Sequence, residues 1–152
     1  MQFVGADNPW GRACLCREWL GFLSRFLDEG VGIVVGRDIL VCVDNPETER
    51  EYTIEFETSE FTALYAVTEQ PIFATVSISY VPGDRCLEQM SLKRYLGAFR
   101  EEVVYYEGAI NQMVDDLVGA CDPTELKVVG DFTVRGGIVT RVTVGYMREG
   151  GA

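Results

Sequence analysis

A change of hydrophobic period, from alternation to helical spacing and back to alternation, constrains this chain more than any other feature. Residues 52–59 set Tyr52, Ile54 and Phe56 against Thr53, Glu55 and Glu57, and 73–81 form a second β-rich run closed by Pro82-Gly83-Asp84. Two helical stretches follow. Residues 91–103 place Leu92, Tyr95, Leu96 and Phe99 on one side, and 107–120 lead Ile110, Met113, Val114, Leu117, Val118 and Cys121 down one stripe. Asp122-Pro123 stops the second helix, and alternation returns in 126–134 and 138–147 around Arg135-Gly136-Gly137, a strong hairpin signal. From residue 52 the order is ββααββ, an α+β plan with both helices on one face of a four-stranded antiparallel sheet. Such an open sheet exposes two edges, which invites side-by-side assembly.

The chain before residue 50 reads as an extension of that core. Asn8-Pro9 supplies a helix start and Gly30 a stop, with Leu15, Trp19, Phe22, Leu23 and Phe26 on one apolar face between them. Residues 33–43 are β-branched and read as a strand. The turn Asp44-Asn45-Pro46-Glu47 then joins that strand to 52–59 as an antiparallel hairpin. Residues 149–152 form a frayed tail. The expectation is one domain over 1–152, with 1–49 as a helix and strand extension and 50–147 as the core; a chain of 152 residues buries roughly two-thirds of its unfolded surface.

A formal charge of −11 without a single histidine makes the surface anionic, so nucleic acid is not an expected partner. No apolar run approaches the ~20 residues needed to span a bilayer and no leader pattern is present, so a cytoplasmic protein without membrane contact is expected. Cys14, Cys16, Cys42, Cys86 and Cys121 are odd in number and scattered, which predicts reduced thiols rather than a disulfide framework. Cys14-Leu15-Cys16 is the one close pair, and with no histidine beside it no metal site is expected. Cys42 and Cys121 fit core positions. Cys86 is flanked by Asp84 and Glu88, a poor setting for a nucleophilic thiolate, which Arg85 only partly offsets.

Several short segments carry a family likeness: Glu60-Phe61-Thr62, Gln70-Pro71, Phe73-Ala74-Thr75, Ile78-Ser79-Tyr80, Ser91-Leu92-Lys93, Phe132-Thr133 and Arg135-Gly136-Gly137-Ile138. In this order and spacing they resemble QueF, the NADPH-dependent reductases of 7-cyano-7-deazaguanine, over about residues 50–147. The resemblance implies the tunnelling fold, with subunits paired into barrels, active sites between neighbours, and pentameric rings stacked into decamers. It places the heterocycle-anchoring glutamate at Glu107. A carboxylate suits that role, because it accepts two parallel hydrogen bonds from the ring N–H and exocyclic amine of a 2-amino-pyrimidinone. Read from the residues alone, Glu107 is equally a helix N-terminal acid favoured by the dipole. Phe73, Ser91 and Leu92, within the matching segments, are assigned to substrate binding.

The resemblance also has gaps where the chemistry should be. The family's nucleophilic cysteine falls at Tyr65, its catalytic aspartate at Ile72 and its histidine at Tyr106. A phenol is mostly protonated at neutral pH and is a poor nucleophile beside a thiolate, while isoleucine transfers no proton. The family's Glu-x-Lys-x-x-Lys-x-Tyr cofactor motif reads Glu88-Gln89-Met90-Ser91-Leu92-Lys93-Arg94-Tyr95. Its first lysine is lost. Lys93, Arg94 and Arg135 are the remaining cations that could meet a phosphate, but no cofactor is expected and the broken motif tells against NADPH. Glu69 stands where the family usually has glycine. It, with Tyr65 and Tyr106, is the candidate acid–base set. Tyr65 and Tyr106 could also donate to a heterocycle oxygen, stack on its face, or simply pack. The expected function is non-redox chemistry, such as ring closure, dehydration or hydrolysis, on a purine-, deazapurine- or diaminopyrimidine-type ring by a homo-oligomer. The alternatives are a non-catalytic binding or assembly subunit, a nitrile reductase with a displaced nucleophile and, least favoured, the family's transfer-RNA-modifying branch.

Overall fold

Alternation in residues 71–81 buries Ile72, Ala74, Val76, Ile78 and Tyr80 on one face of a strand at the middle of the sheet. The computed structural model describes residues 35–149. The chain there runs β1 (Cys42–Asp44), β2 (Ile54–Tyr65), β3 (Pro71–Val81), β4 (Arg85–Leu87), α1 (Gln89–Ala98), β5 (Val103–Val104), α2 (Tyr106–Cys121), β6 (Glu125–Arg135) and β7 (Ile138–Met147). Tight 3-10 turns occupy Arg37–Ile39 and Phe99–Glu101. The expected helix from Asn8 to Gly30, the Cys14 and Cys16 pair, and residues 150–152 of the tail lie outside the described residues.

The main sheet has the order β5-β2-β3-β6-β7, antiparallel throughout except that β5 pairs parallel with β2 at Leu64 and Tyr65. The four long strands are those expected, and β5 adds a fifth of only two residues. One extra residue between Thr58 and Phe61 makes a bulge in β2, after which the buried face resumes with Phe61 and Ala63. The β6–β7 turn is Gly136-Gly137 with φ of 57° and 79°. Both angles are positive, as the favoured two-residue hairpin turns require.

Both helices lay their apolar stripes on the buried face. Tyr95 from α1 and Phe99 from the turn after it join Ile110, Met113 and Leu117 from α2 over Ile72, Val76, Ile78, Leu126 and Val128. The approach is close at Gly130 of β6, where an added Cβ would lie 2.6 Å from Ile110 Cδ1 and 2.9 Å from its Cγ1. Tyr95 donates its hydroxyl to Asp116 at 2.7 Å, tying α1 to α2. Burial and the neighbouring carboxylate both push that phenol well above its ordinary range. The Tyr80 hydroxyl accepts from the Leu87 N–H at 3.0 Å, and burial pushes its pKa up to about 12.

Two expectations are corrected. Over its described part, 35–43, the expected strand is reduced to β1, preceded by a 3-10 turn, and β1 pairs with β4 instead of forming a hairpin with β2. Asn45 is the physical reason. Its amide donates to the Gly83 carbonyl at 2.8 Å, its backbone N–H donates to the Asp84 carbonyl at 2.9 Å, and its Oδ1 accepts the Tyr52 hydroxyl at 2.6 Å. The turn residue therefore docks on the loop before β4. The helix expected over 91–103 also ends early, at Ala98. Phe99 is fully buried against Phe61 and Tyr95, ring centroids 5.4 Å from each, and the chain then tightens so that Leu64 N–H donates to the Glu102 carbonyl at 2.9 Å.

Candidate functional site

One end of the sheet gathers the end of β2, the start of β3 and the N-terminus of α2. The Tyr65 N–H donates to the Gln70 carbonyl at 2.9 Å, and the Tyr65 carbonyl accepts from Thr68 at 3.2 Å and Glu69 at 2.7 Å, closing the loop 66–70. Ala66 N–H donates to the Val104 carbonyl at 2.9 Å, which fixes this loop to the strand that enters α2. The consequence is a block of aromatic rings. Tyr65 and Tyr106 are stacked with centroids 5.0 Å apart and planes at 16°. Phe132 lies 4.5 Å from Tyr106 at 45°, and Tyr105 meets Tyr65 edge-on at 6.2 Å.

Glu107 occupies the first turn of α2 and is exposed. Tyr105, the N-cap residue, provides no side-chain cap, so no side chain competes for the first amides of the helix. Glu107 places its charge where the dipole favours an anion, and its carbonyl accepts from the Asn111 amide at 2.9 Å. Glu69 is exposed in the loop and holds a left-handed backbone with φ of 54°. Arg135 donates to Gln70 Oε1 at 3.2 Å and to the Pro71 carbonyl, bringing the β6–β7 hairpin to the same end. Phe73, 51% exposed, points away from the helices. Its carbonyl accepts from the Thr133 hydroxyl at 3.1 Å. Ile72 is 1% exposed among apolar neighbours.

The remaining candidates lie toward the other end. Ser91 is fully buried; its Oγ accepts from the Val41 N–H at 3.0 Å and donates to the Glu88 carbonyl at 2.7 Å, so its hydroxyl is engaged by the backbone. Leu92 is 3% exposed and belongs to the core. Lys93 and Arg94 are exposed on α1. Glu88 caps α1, its carboxylate accepting from the N–H groups of Met90 at 2.6 Å and Ser91 at 2.7 Å. Those bonds hold its carboxyl below the usual range. Lys93 lines a cavity of about 280 Å³ with Glu57, Glu60 and Arg100, between α1 and β2. That cavity does not include Tyr65, Tyr106 or Glu107.

Within one chain the start of α1 is therefore apart from the ring block: β3 runs ~30 Å between the ends, with Tyr65 beside its start and Leu87, just before α1, bonded to Tyr80 near its finish. The described cysteines also sit at the far end. Cys86 is 8% exposed with Sγ 3.6 Å from the Tyr52 hydroxyl, and Cys42 Sγ donates to the Ala120 carbonyl at 3.4 Å. Burial raises the Cys42 thiol and pushes Cys121 up to about 12. Tyr105 and Phe132 are the members of the ring block that sequence reasoning did not single out. The adjacent pair Tyr105-Tyr106 was the available signal, but periodicity does not say which of two neighbours faces a third ring.

A ββααββ chain with both helices on one sheet face, and polar groups gathered where the first hairpin meets the second helix, is a tunnelling-fold protein. The fold is shared with the crystal structure of the archaeosine synthase QueF-Like in the apo form, at a TM-score of 0.58 and 16% identity over 61% of this chain and 91% of that one. The chain belongs to the QueF-like family, whose model matches residues 71–150. It is 50% identical over 99 residues to the NADPH-dependent 7-cyano-7-deazaguanine reductase of Anaeromyxobacter sp. (strain Fw109-5), covering 65% of this chain and 81% of the relative. The similarly named protein of Magnetococcus marinus (strain ATCC BAA-1437 / JCM 17883 / MC-1) is 43% identical over 113 residues, 74% of this chain and 88% of that one. No described helix is long and apolar enough to cross a membrane.

Proposed function

We propose that this protein is an enzyme that binds a purine-, deazapurine- or diaminopyrimidine-type ring through Glu107 and performs non-redox chemistry on it. One observation carries the reading: the cluster at the start of α2 offers a carboxylate and two phenols, while the described thiols, Cys42, Cys86 and Cys121, are at the opposite end of the sheet. Glu107 accepts the ring N–H and exocyclic amine together. Glu69, with Tyr65 or Tyr106, moves the proton that ring closure, dehydration or hydrolysis requires. Support for Glu69 comes from its left-handed backbone, since strain of this kind gathers at functional sites.

The site is completed by a second copy of the chain. The cavity lined by Leu92 and Lys93 does not include Glu107 in one chain, and two strand edges are open: β2 before Leu64, and β7. Pairing those edges, in the rings the resemblance implies, brings one subunit's α1 toward its neighbour's α2. Arg135 is already committed to the hairpin it braces, and NADPH plays no part.

The relatives' printed activity favours a second reading, an NADPH-dependent nitrile reductase with a displaced nucleophile. Calorimetric titration with guanine, 7-cyano-7-deazaguanine, a 2,5-diamino-pyrimidinone and NADPH separates the two. The proposal predicts that at least one ring binds and NADPH does not. Binding of NADPH together with its oxidation on adding the nitrile would establish the reductase and sink the non-redox reading. If no ring binds, the protein is a non-catalytic assembly subunit.

A further inference from the structure

We infer that Cys42 and Cys121 form a redox pair: a hydroperoxide converts the two thiols into a disulfide that locks β1 onto the last turn of α2. Cys121 ends α2 and Glu107 lies in its first turn, so the lock is independent of ring binding.

The fold brings the two sulfurs together from residues far apart in the chain. β1 and β4 form a two-stranded ribbon, and Cys42 Sγ reaches from it to donate to the Ala120 carbonyl at 3.4 Å. That carbonyl belongs to the peptide bond leading into Cys121. Cys121 Sγ donates to the Leu117 carbonyl at 3.2 Å, one turn back along the helix, and the two thiols are within hydrogen-bonding reach of each other. Disulfides form only between backbones already close together, and here one sulfur touches the peptide that leads into the other cysteine.

Cys86 is a third thiol nearby, and strand alternation turns it away. Cys42 pairs with Leu87 and Val43 with Cys86, so Cys42 and Cys86 point to opposite faces of the ribbon. Cys86 Sγ instead meets the Tyr52 hydroxyl at 3.6 Å.

The two thiols are unequal, which orders the reaction. Cys121 is 3% exposed, and burial pushes it up to about 12. Cys42 is half-buried; burial raises it too, and Arg85 pulls against that rise at both sulfurs. Cys42 is therefore the thiol that a small oxidant reaches first, and Cys121 resolves it. With hydrogen peroxide, the Cys42 thiolate attacks one oxygen and the O–O bond breaks. The other oxygen leaves as hydroxide and becomes water with the proton Cys42 gave up, leaving a sulfenic acid. The Cys121 sulfur then attacks the Cys42 sulfur, the S–O bond breaks, and hydroxide departs with the Cys121 proton as water. The two thiols are oxidised to one disulfide and the peroxide is reduced to two waters. Burial leaves few thiolates at neutral pH, so the oxidation is slow. The new bond closes a loop containing β2, β3, β4, α1 and β5, and a loop this long restricts the unfolded chain strongly.

Mass spectrometry tests the pairing on the full chain, reduced with dithiothreitol, freed of it, exposed to hydrogen peroxide and then digested without reductant. Wild type should yield a peptide joining Cys42 to Cys121 that dithiothreitol separates, and oxidation should raise Tm by ~5 °C or more. Cys42→Ser and Cys121→Ser should each abolish the linked peptide and the rise, whereas Cys86→Ser should keep both. Recovery of Cys42 and Cys121 unlinked from oxidised wild type, or linked to other cysteines, overturns the pair. A linked peptide without a rise in Tm overturns the lock. The wild-type peptide map decides by itself if a variant does not fold.

Discussion

Glu69 carries its side chain at a φ of 54°, where the Cβ crowds the following carbonyl at a cost of roughly 1–2 kcal/mol that glycine does not incur. Glu69→Gly relieves that crowding but loosens the unfolded chain by ~0.4–1 kcal/mol, so thermal unfolding should show stability unchanged or slightly raised. Turnover should fall with no matching loss of fold. A variant that loses neither shows that Glu69 is a loop acid and nothing more. The departure from glycine at this position was legible in the sequence, as were the tyrosines at 65 and 106. Their stacking was not, because it depends on the bond from Ala66 to Val104 that sets the end of β2 against the start of α2. Ser91, assigned to substrate binding from its matching segment, has its hydroxyl bonded to the backbone of Val41 and Glu88, long-range and local partners that the segment does not reveal.

From residue 52 on, the two helices and four long strands formed where the period changes said they would, and several of their ends did not. Helical spacing in 91–103 was read through Phe99, yet a fully buried ring wedged between Phe61 and Tyr95 turns the chain before the pattern runs out. The 44–47 turn was recognised, but Asn45 uses its side chain on the β4 loop, a long-range bond that local turn chemistry cannot reveal. Two predictions belong here. Replacing Gly130 by valine puts a branched side chain where Ile110 already lies within 2.6 Å of an added Cβ, and overpacking should cost about 1–3 kcal/mol in denaturant unfolding. The Glu88 cap should make α1 sensitive to acid. Its carboxyl is held below the ordinary value of 4.5 by the Met90 and Ser91 amides. That contribution is complete above 4.5 and is lost as pH falls through the lower folded value. Glu88→Gln should therefore lower Tm at neutral pH and differ less and less from wild type below that value; a gap that persists unchanged at low pH would show that the carboxylate's charge is not what caps the helix.

At the scale of the whole molecule, the sheet and both helices make a scaffold that places Tyr65, Glu69, Tyr106 and Glu107 where the first hairpin meets α2, and Lys93 on a separate cavity along β2. The fold class and helix placement could be read from period alone, whereas the separation of the candidate residues could not, since it follows from the direction in which α1 crosses the sheet. A site shared between subunits, as proposed, would reconcile that separation with a single pocket. The central claim is that Glu107 holds a 2-amino-pyrimidinone edge, and titration calorimetry of wild type and Glu107→Ala with guanine tests it most directly. Wild type should bind, and the variant should bind at least ~30-fold more weakly, the loss expected when hydrogen bonds to a charged acceptor are removed. Equal affinity of the two proteins for guanine would contradict the claim.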